Sequence, residues 1–170
     1  MYEGGKWYNA GLYYGPGEET FVYHKVNLAT SERGHFAAGS QLPILEIALC
    51  GRPVKIGIQL CREIRFSEQW RYLARAGAEI FAYLTNAVGD ETQAPVWRSH
   101  LISRAAENQR FVLCANNAHP EQKCPSMIVT PGGKVLWEVL SSEPESARCK
   151  LDLAEVSDWY ISQSRDDVCG

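Results

Sequence analysis

Apolar and polar positions fall into short alternating or continuous blocks along this chain, which read as a run of strands interrupted by two helices. Residues 8–14 are rich in aromatic side chains and predict a strand ended by Gly15-Pro16-Gly17; residues 20–24 follow at hairpin distance. After a polar stretch, residues 45–50 and 54–60 flank Gly51-Arg52-Pro53, a second hairpin signal. In the latter run Val54, Ile56, Ile58 and Leu60 alternate with Lys55, Gly57 and Gln59, the period of two that a strand's two faces impose. Ser67 is placed to cap a helix running to Gly77, with Trp70, Leu73 and Ala74 on one face.

Residues 78–84 and 111–115 are short continuous apolar runs, as expected of strands buried on both faces. Between them Pro95 starts a helix whose inner stripe is Trp97, Leu101, Ile102 and Ala105. Residues 127–130 and 135–139 flank Pro131-Gly132-Gly133, a third hairpin. Strands alternating with helices predict an α/β fold with helices packed against a sheet. The chain after Ser141 is polar and irregular, with a short helical turn expected within residues 153–160. The division expected is a domain over residues 1–140 and a C-terminal tail over 141–170 that packs on a partner subunit.

Composition narrows the class. A chain of 170 residues, 45% hydrophobic and 22% charged, suits one globular domain and not a disordered or fibrous chain. A net charge of −3 without a basic run disfavours a nucleic-acid or anionic-membrane partner. No apolar stretch approaches the ~20 residues of a membrane helix, and the N-terminus lacks a signal pattern, so the expected compartment is the cytoplasm. Cys50, Cys61, Cys114, Cys124, Cys149 and Cys169 include no CxxC pair, and Cys114, His119 and Cys124 match no standard zinc spacing. Reduced thiols and no metal are expected.

The most informative stretch is Gly57-Ile58-Gln59-Leu60-Cys61-Arg62-Glu63-Ile64-Arg65-Phe66-Ser67-Glu68. It puts a cysteine at the end of a strand, before a short turn and a helix, where sheets present reactive groups and backbone N–H groups can meet a developing negative charge. Tyr23-His24-Lys25-Val26-Asn27-Leu28 places a lysine at another strand end, and Glu32 opens Glu32-Arg33-Gly34-His35-Phe36-Ala37-Ala38-Gly39. Ser103-Arg104-Ala105-Ala106-Glu107-Asn108-Gln109 then leads into a buried strand.

In this order the motifs resemble the nitrilase-type carbon–nitrogen hydrolase superfamily. Residues 23–28 look like its lysine motif, 32–39 its second glutamate motif, 60–68 its nucleophilic cysteine motif, and 104–109 and 126–133 its helix and closing hairpin. The resemblance covers residues 8–138 and implies an α/β fold, an αββα sandwich incomplete at the N-terminus. It further implies hydrolysis of a small amide, carbamoyl or nitrile substrate through a cysteine acyl-enzyme, no cofactor, and a homo-oligomer formed through the helices near residues 67–76 and 95–109. Cys61 would attack as thiolate, favoured by a neighbouring cation. Lys25 and the Arg62 backbone N–H would stabilise the oxyanion, worth roughly 2.7–4 kcal/mol per donor. Glu32 would position the ion network and substrate.

Other residues stay open. The Arg62 side chain either faces the pocket, favouring an anionic substrate, or turns outward into a salt bridge. Asn86 either hydrogen-bonds substrate or caps its loop. Glu63 reads as structural, paired with a cation or with backbone donors. The family's upstream glutamate base has no counterpart here, because Glu3, Glu18 and Glu19 lie too near Lys25 and lack its apolar, proline-containing context. Two departures from the pattern are Arg62, where an aromatic residue is common, and Ser67, where proline is. A non-catalytic binding or assembly module is the alternative of a different class. A papain-like Cys–His hydrolase fits poorly, since His24, His35, His100 and His119 share no motif and read as surface or packing residues.

Overall fold

The computed structural model describes residues 1–17, 19–87 and 91–165; Glu18 and Cys169 lie outside the described residues. Two short hairpins come first, β1 (Tyr2–Glu3) with β2 (Lys6–Trp7) and β3 (Ala10–Tyr14) with β4 (Thr20–His24). Next are β5 (Ile44–Leu49), β6 (Arg52–Leu60), α1 (Ser67–Arg75), β7 (Ile80–Thr85), α2 (Gln93–Asn108), β8 (Phe111–Asn116), β9 (Ser126–Val129) and β10 (Val135–Val139). The last six strands form one sheet in the order β10-β9-β8-β7-β6-β5. Its centre, β6, β7 and β8, is parallel, and its outer pairs are antiparallel. The two parallel connections are the helical crossovers through α1 and α2, as parallel pairing requires.

The alternation within the strands sorts side chains into layers. On one face Phe81 and Tyr83 of β7, Val112 and Cys114 of β8 and Met127 and Val129 of β9 pack against Trp70, Leu73 and Ala74 of α1 and Leu101 and Ala105 of α2. On the other face Ile58 and Leu60 of β6 and Leu45 of β5 pack against Tyr23, with Tyr13 and Phe21 of the β3–β4 hairpin around them. The described residues thus form a helical layer, a six-stranded sheet, and the β3–β4 hairpin packed on the sheet's other face, an α/β arrangement. No described helix is long and apolar enough to cross a membrane.

The stretch after Ser141 does not hang free. Leu151, Leu153 and Val156 pack on Val54, Ile80 and Phe111, and Ile161 is buried in the helix-side core. Arg110, 2% exposed, fastens it by donating to Ala74 O and Ala78 O in the body and to Ser157 O and Asp158 in the tail. The short helical turn expected within residues 153–160 is the 3-10 turn Leu153–Glu155, and a second 3-10 turn, Ile161–Gln163, follows it.

Two local expectations need correction. The second hairpin turns at Cys50-Gly51, with φ of 51° and 79°, so both central residues are left-handed, as suits tight hairpins with strand-matching twist. Arg52 and Pro53, expected in that turn, belong to β6; Pro53 is tolerated because it pairs only with β5, before β7 begins its pairing at Ile56. Ser67 is the first residue of α1 and caps nothing; the cap position is Phe66, and no side chain there accepts a bond. The end of α1 is as expected, with Ala78 N donating to Leu73 O at 3.0 Å.

Gly39 fixes the strand that carries Lys25. Its N–H donates to Lys25 O at 2.8 Å, and an added Cβ would stand 2.1 Å from His24 O, a backbone atom that cannot move alone. Gly132, in contrast, has only Thr130 Oγ1, 4.0 Å away. Gly39→Ala is expected to cost ~1–3 kcal/mol, lowering the melting temperature by roughly 3–10 °C, while Gly132→Ala stays within about 2 °C. Thermal unfolding followed by circular dichroism checks this, and equal shifts in the two variants would contradict the close approach at Gly39.

Candidate active site

The site begins at the end of β4. Lys25 follows His24, is 1% exposed, and donates from Nζ to Glu32 Oε1 at 3.0 Å and Oε2 at 2.7 Å. A buried ammonium without a partner is prohibitively costly, so Glu32 is the condition for Lys25 being there at all. Glu32 ends a 3-10 turn, Thr30–Glu32, and also accepts from Asn9 Nδ2 on Oε1 and from Ala29 N on Oε2. Burial works against its charge, but the bonds from Lys25, Ala29 and Asn9, with the Lys25 charge, outweigh it and hold the carboxyl below its ordinary value. Each of its oxygens therefore takes two donors, and it is a weak proton acceptor.

The second part lies at the end of β6. Cys61 opens a 3-10 turn, Cys61–Arg65, with φ of 46°, a left-handed conformation that a non-glycine residue adopts only when its surroundings enforce it. Four side chains do so. Tyr83 Oη donates to Cys61 O at 2.6 Å, and Trp70 Nε1 to Glu63 O at 2.9 Å. Arg104 on α2 donates from Nε and Nη2 to Ile64 O at 3.1 and 3.0 Å. Glu63 accepts from Leu60 N on Oε2 at 2.8 Å. Burial pushes the Tyr83 phenol well up, with Cys124 adding to the effect, so its hydroxyl remains a donor. The first N–H groups of such a turn have no partner inside it, which leaves the amide after Cys61 available to a ligand.

Glu63 also ties the two parts together. Its Oε1 accepts from Tyr23 Oη at 2.7 Å, Val26 N at 2.8 Å and Asn27 N at 3.0 Å, all from the lysine segment. The side chain is fully buried. Burial raises its pKa, and the bonds from Asn27, Tyr23, Leu60 and Val26 pull the other way. Burial and the adjacent carboxylate push the Tyr23 phenol upward.

Cys61, Glu32 and Asn86 face one depression of about 450 Å³, with Asn9, Ser31 and Thr85 also on its walls. Asn86 is exposed there, and its Oδ1 accepts from Asn117 Nδ2. Lys25 is not on that wall; it reaches the site through Glu32. The Arg62 side chain is exposed, borders a neighbouring depression, and forms no ion pair with a described residue. No histidine lines the Cys61 depression: His24 stacks on Tyr8, His100 contacts Arg65, and His119 accepts from Glu121 N. Cys114 and Cys124 are buried, whereas Cys50 and Cys149 are exposed.

Asn9 and Tyr83 are the participants that sequence reasoning missed. Tyr83 carried a usable signal, since a tyrosine inside a buried apolar run needs a partner for its hydroxyl. Asn9 stands outside every motif and carried none.

Residues 1–161 match the Carbon-nitrogen hydrolase family. An (R)-stereoselective amidase of Pseudomonas sp is 32% identical over 157 residues, covering 89% of this chain and 55% of that protein. The deaminated glutathione amidase of Homo sapiens is 35% identical over 132 residues, covering 72% and 37%. Among solved structures, a Glu→Gln mutant of the amidase from Nesterenkonia sp. AN1, showing covalent addition of the acetamide moiety of fluoroacetamide at the active-site cysteine, superposes with a TM-score of 0.72 at 29% identity, over 89% of this chain and 56% of that one. The chain thus spans about half the length, or less, of these relatives. With the motifs in order, the fold matched and the family's profile met over residues 1–161 of this chain, the chain belongs to the carbon–nitrogen hydrolases of the nitrilase superfamily.

Proposed function

We propose that this chain carries the nucleophile half of an amide-type carbon–nitrogen hydrolase, with Cys61 as nucleophile. The observation that carries the reading is the enforced left-handed turn at Cys61, which faces the same depression as Glu32, the carboxylate that holds the buried Lys25. The covalent adduct on the active-site cysteine of the Nesterenkonia amidase supports the same chemistry.

In the proposed reaction the Cys61 sulfur bonds to the carbonyl carbon of a small amide and the carbonyl π pair moves to oxygen. The oxyanion is met by the Arg62 N–H, with the Lys25 charge acting at the depth of Glu32. Collapse reforms the carbonyl and breaks the C–N bond, and the thiol proton leaves on the departing amine. A thioester remains, and water must then attack it with loss of a proton to a base. Glu32 is poorly suited to that step because both oxygens are engaged and its proton affinity is lowered. The 170-residue chain should therefore acylate faster than it deacylates. The same engaged carboxylate favours the second reading, a binding or assembly module that performs no chemistry.

Two experiments separate these readings. Brief iodoacetamide treatment with peptide mapping should label Cys61 ahead of Cys149, and Lys25→Met, which leaves Glu32 uncompensated beside the thiol, should slow Cys61 roughly tenfold, whereas Lys6→Ala should not. Equal labelling of Cys61 and Cys149, or no effect of Lys25→Met, would sink the proposed site. Mixing the chain with an activated ester should leave an acyl mass increase on Cys61 that decays slowly, and Cys61→Ala should show none. Failure to form the thioester would leave the non-catalytic module, and fast turnover without accumulation would disprove the engaged role given to Glu32.

A further inference from the structure

The six-stranded sheet ends in two edge strands, β10 and β5, and they are built differently. β10 is interrupted: its register on β9 shifts between Val135 and Trp137, and its Glu138 is tied to Arg98 of α2. Irregularities and charges of this kind are how sheet edges avoid pairing with other chains. β5 has no such irregularity. Ile44-Leu45-Glu46-Ile47-Ala48-Leu49 pairs with β6 in unbroken register and carries a single charge. Among the described residues no backbone group bonds its outer edge. Pro43 precedes it and the left-handed Cys50 follows it, which bounds the open ladder at both ends. Near one of those ends Leu49 is 43% exposed.

The neighbouring strand fixes which groups are free. Lys55 O accepts from Glu79 N at 2.8 Å on the β7 side, so Lys55 turns its backbone groups away from β5. Its partner Glu46 therefore stands in a non-hydrogen-bonded pair, and Glu46 and Ala48 aim their N–H and C=O groups at the open edge. Leu45 and Ile47 pack on the hairpin side of the sheet and Ile44 on the helix side, the face that Glu46 and Ala48 share by alternation. A second copy turned about a two-fold axis normal to the sheet keeps both faces in place and sets β5 antiparallel to itself. An axis through Glu46 would oppose two carboxylates, which is unfavourable. An axis through Leu45 or Ala48 would shorten the overlap. An axis through Ile47 sets Glu46 against Ala48 of the second copy in both directions and covers Leu49 with Leu45 of the second copy.

We infer that β5 is an interaction surface for a second copy of this chain, joined edge to edge in an antiparallel pair centred on Ile47. It does not depend on the reaction proposed for Cys61, and it lies on a different surface from the helices near residues 67–76 and 95–109. The narrow pairs, Glu46 with Ala48, exchange main-chain hydrogen bonds, and the wide pair at Ile47 brings two apolar side chains together on the axis.

Ala48→Pro tests the surface. It removes an N–H that points to the open edge and none that β6 uses, so the fold should persist, with an unchanged circular dichroism spectrum. Sedimentation velocity over about 1–100 μM should show dimers of the unaltered chain, and Ala48→Pro should weaken their association roughly tenfold or more. Ile47→Cys tests the register and stands on its own should Ala48→Pro misfold. Opposed residues of a wide pair lie about 4.5 Å apart at Cα, within disulfide range. With Cys50, Cys149 and Cys169 replaced by serine, oxidised glutathione should cross-link Ile47→Cys into dimers, two thiols giving one disulfide and two reduced glutathiones. Glu46→Cys, which faces Ala48, should stay at the level of the same background without an added cysteine. A chain that remains monomeric throughout, or a dimer indifferent to Ala48→Pro because the copies meet elsewhere, overturns the surface. Cross-linking through Glu46→Cys and not Ile47→Cys overturns the pairing centred on Ile47.

Discussion

A single buried carboxylate, that of Glu63, holds the candidate site in register. It is fully enclosed and takes four donors: the Tyr23 hydroxyl and the amides of Val26, Asn27 and Leu60. Those donors come from two segments far apart in sequence, the strand end that presents Lys25 and the strand end that presents Cys61. Without Glu63, three amides and a phenol would face an apolar interior with nothing to accept them, at ~1–3 kcal/mol each. A carboxylate in that place is favourable only because four donors meet it, three on Oε1 and one on Oε2, so that losing it strands all of them together. The geometry between β4 and β6 follows from that constraint more than from apolar contact, which is satisfied by many relative positions.

The rest of the site builds outward from this bond set. Parallel pairing of β6, β7 and β8 gathers their carboxyl ends at one edge, the usual place for ligands in such sheets. At that edge β7 sends Tyr83 to the Cys61 carbonyl, α1 sends Trp70 to the Glu63 carbonyl, and α2 sends Arg104 to the Ile64 carbonyl. Three carbonyls of the turn are thereby held by three different elements, and the left-handed backbone at Cys61 is sustained by packing that involves both helices. Strain of ~1–3 kcal/mol stored at one residue is affordable only with that much support, and it aims the sulfur outward.

Much of this was readable in the residues. The hairpins, the buried strands and the two helices follow from apolar spacing, and the order of the lysine, glutamate and cysteine motifs carried the family and named Cys61 and Glu32, which the fold brings to one depression. What escaped was information that adjacent residues do not hold. Gly51-Arg52-Pro53 looked like a turn, but whether Pro53 can sit in a strand depends on which neighbour needs its N–H, a tertiary fact. Ser67 resembled a cap, yet Glu63 and Phe66 had already shaped the chain's entry into α1. Lys25 read as a group facing substrate, whereas it is covered by Glu32, and only three-dimensional packing tells a buried ammonium from an exposed one. The polar stretch after Ser141 hid its few apolar anchors and the partner role of Arg110.

The central claim is that Glu63 positions both halves of the site, and Glu63→Gln tests it with almost no change in shape. Either orientation of the new amide turns an NH2 group against a donor, Leu60 N in one case and Tyr23, Val26 and Asn27 in the other. Thermal unfolding and Cys61 alkylation should be measured on the same preparation. The account predicts a loss of ~2–5 kcal/mol in stability and a Cys61 alkylation rate reduced to that of exposed Cys149. A variant that unfolds at the temperature of the unaltered chain and labels Cys61 at the original rate would contradict it.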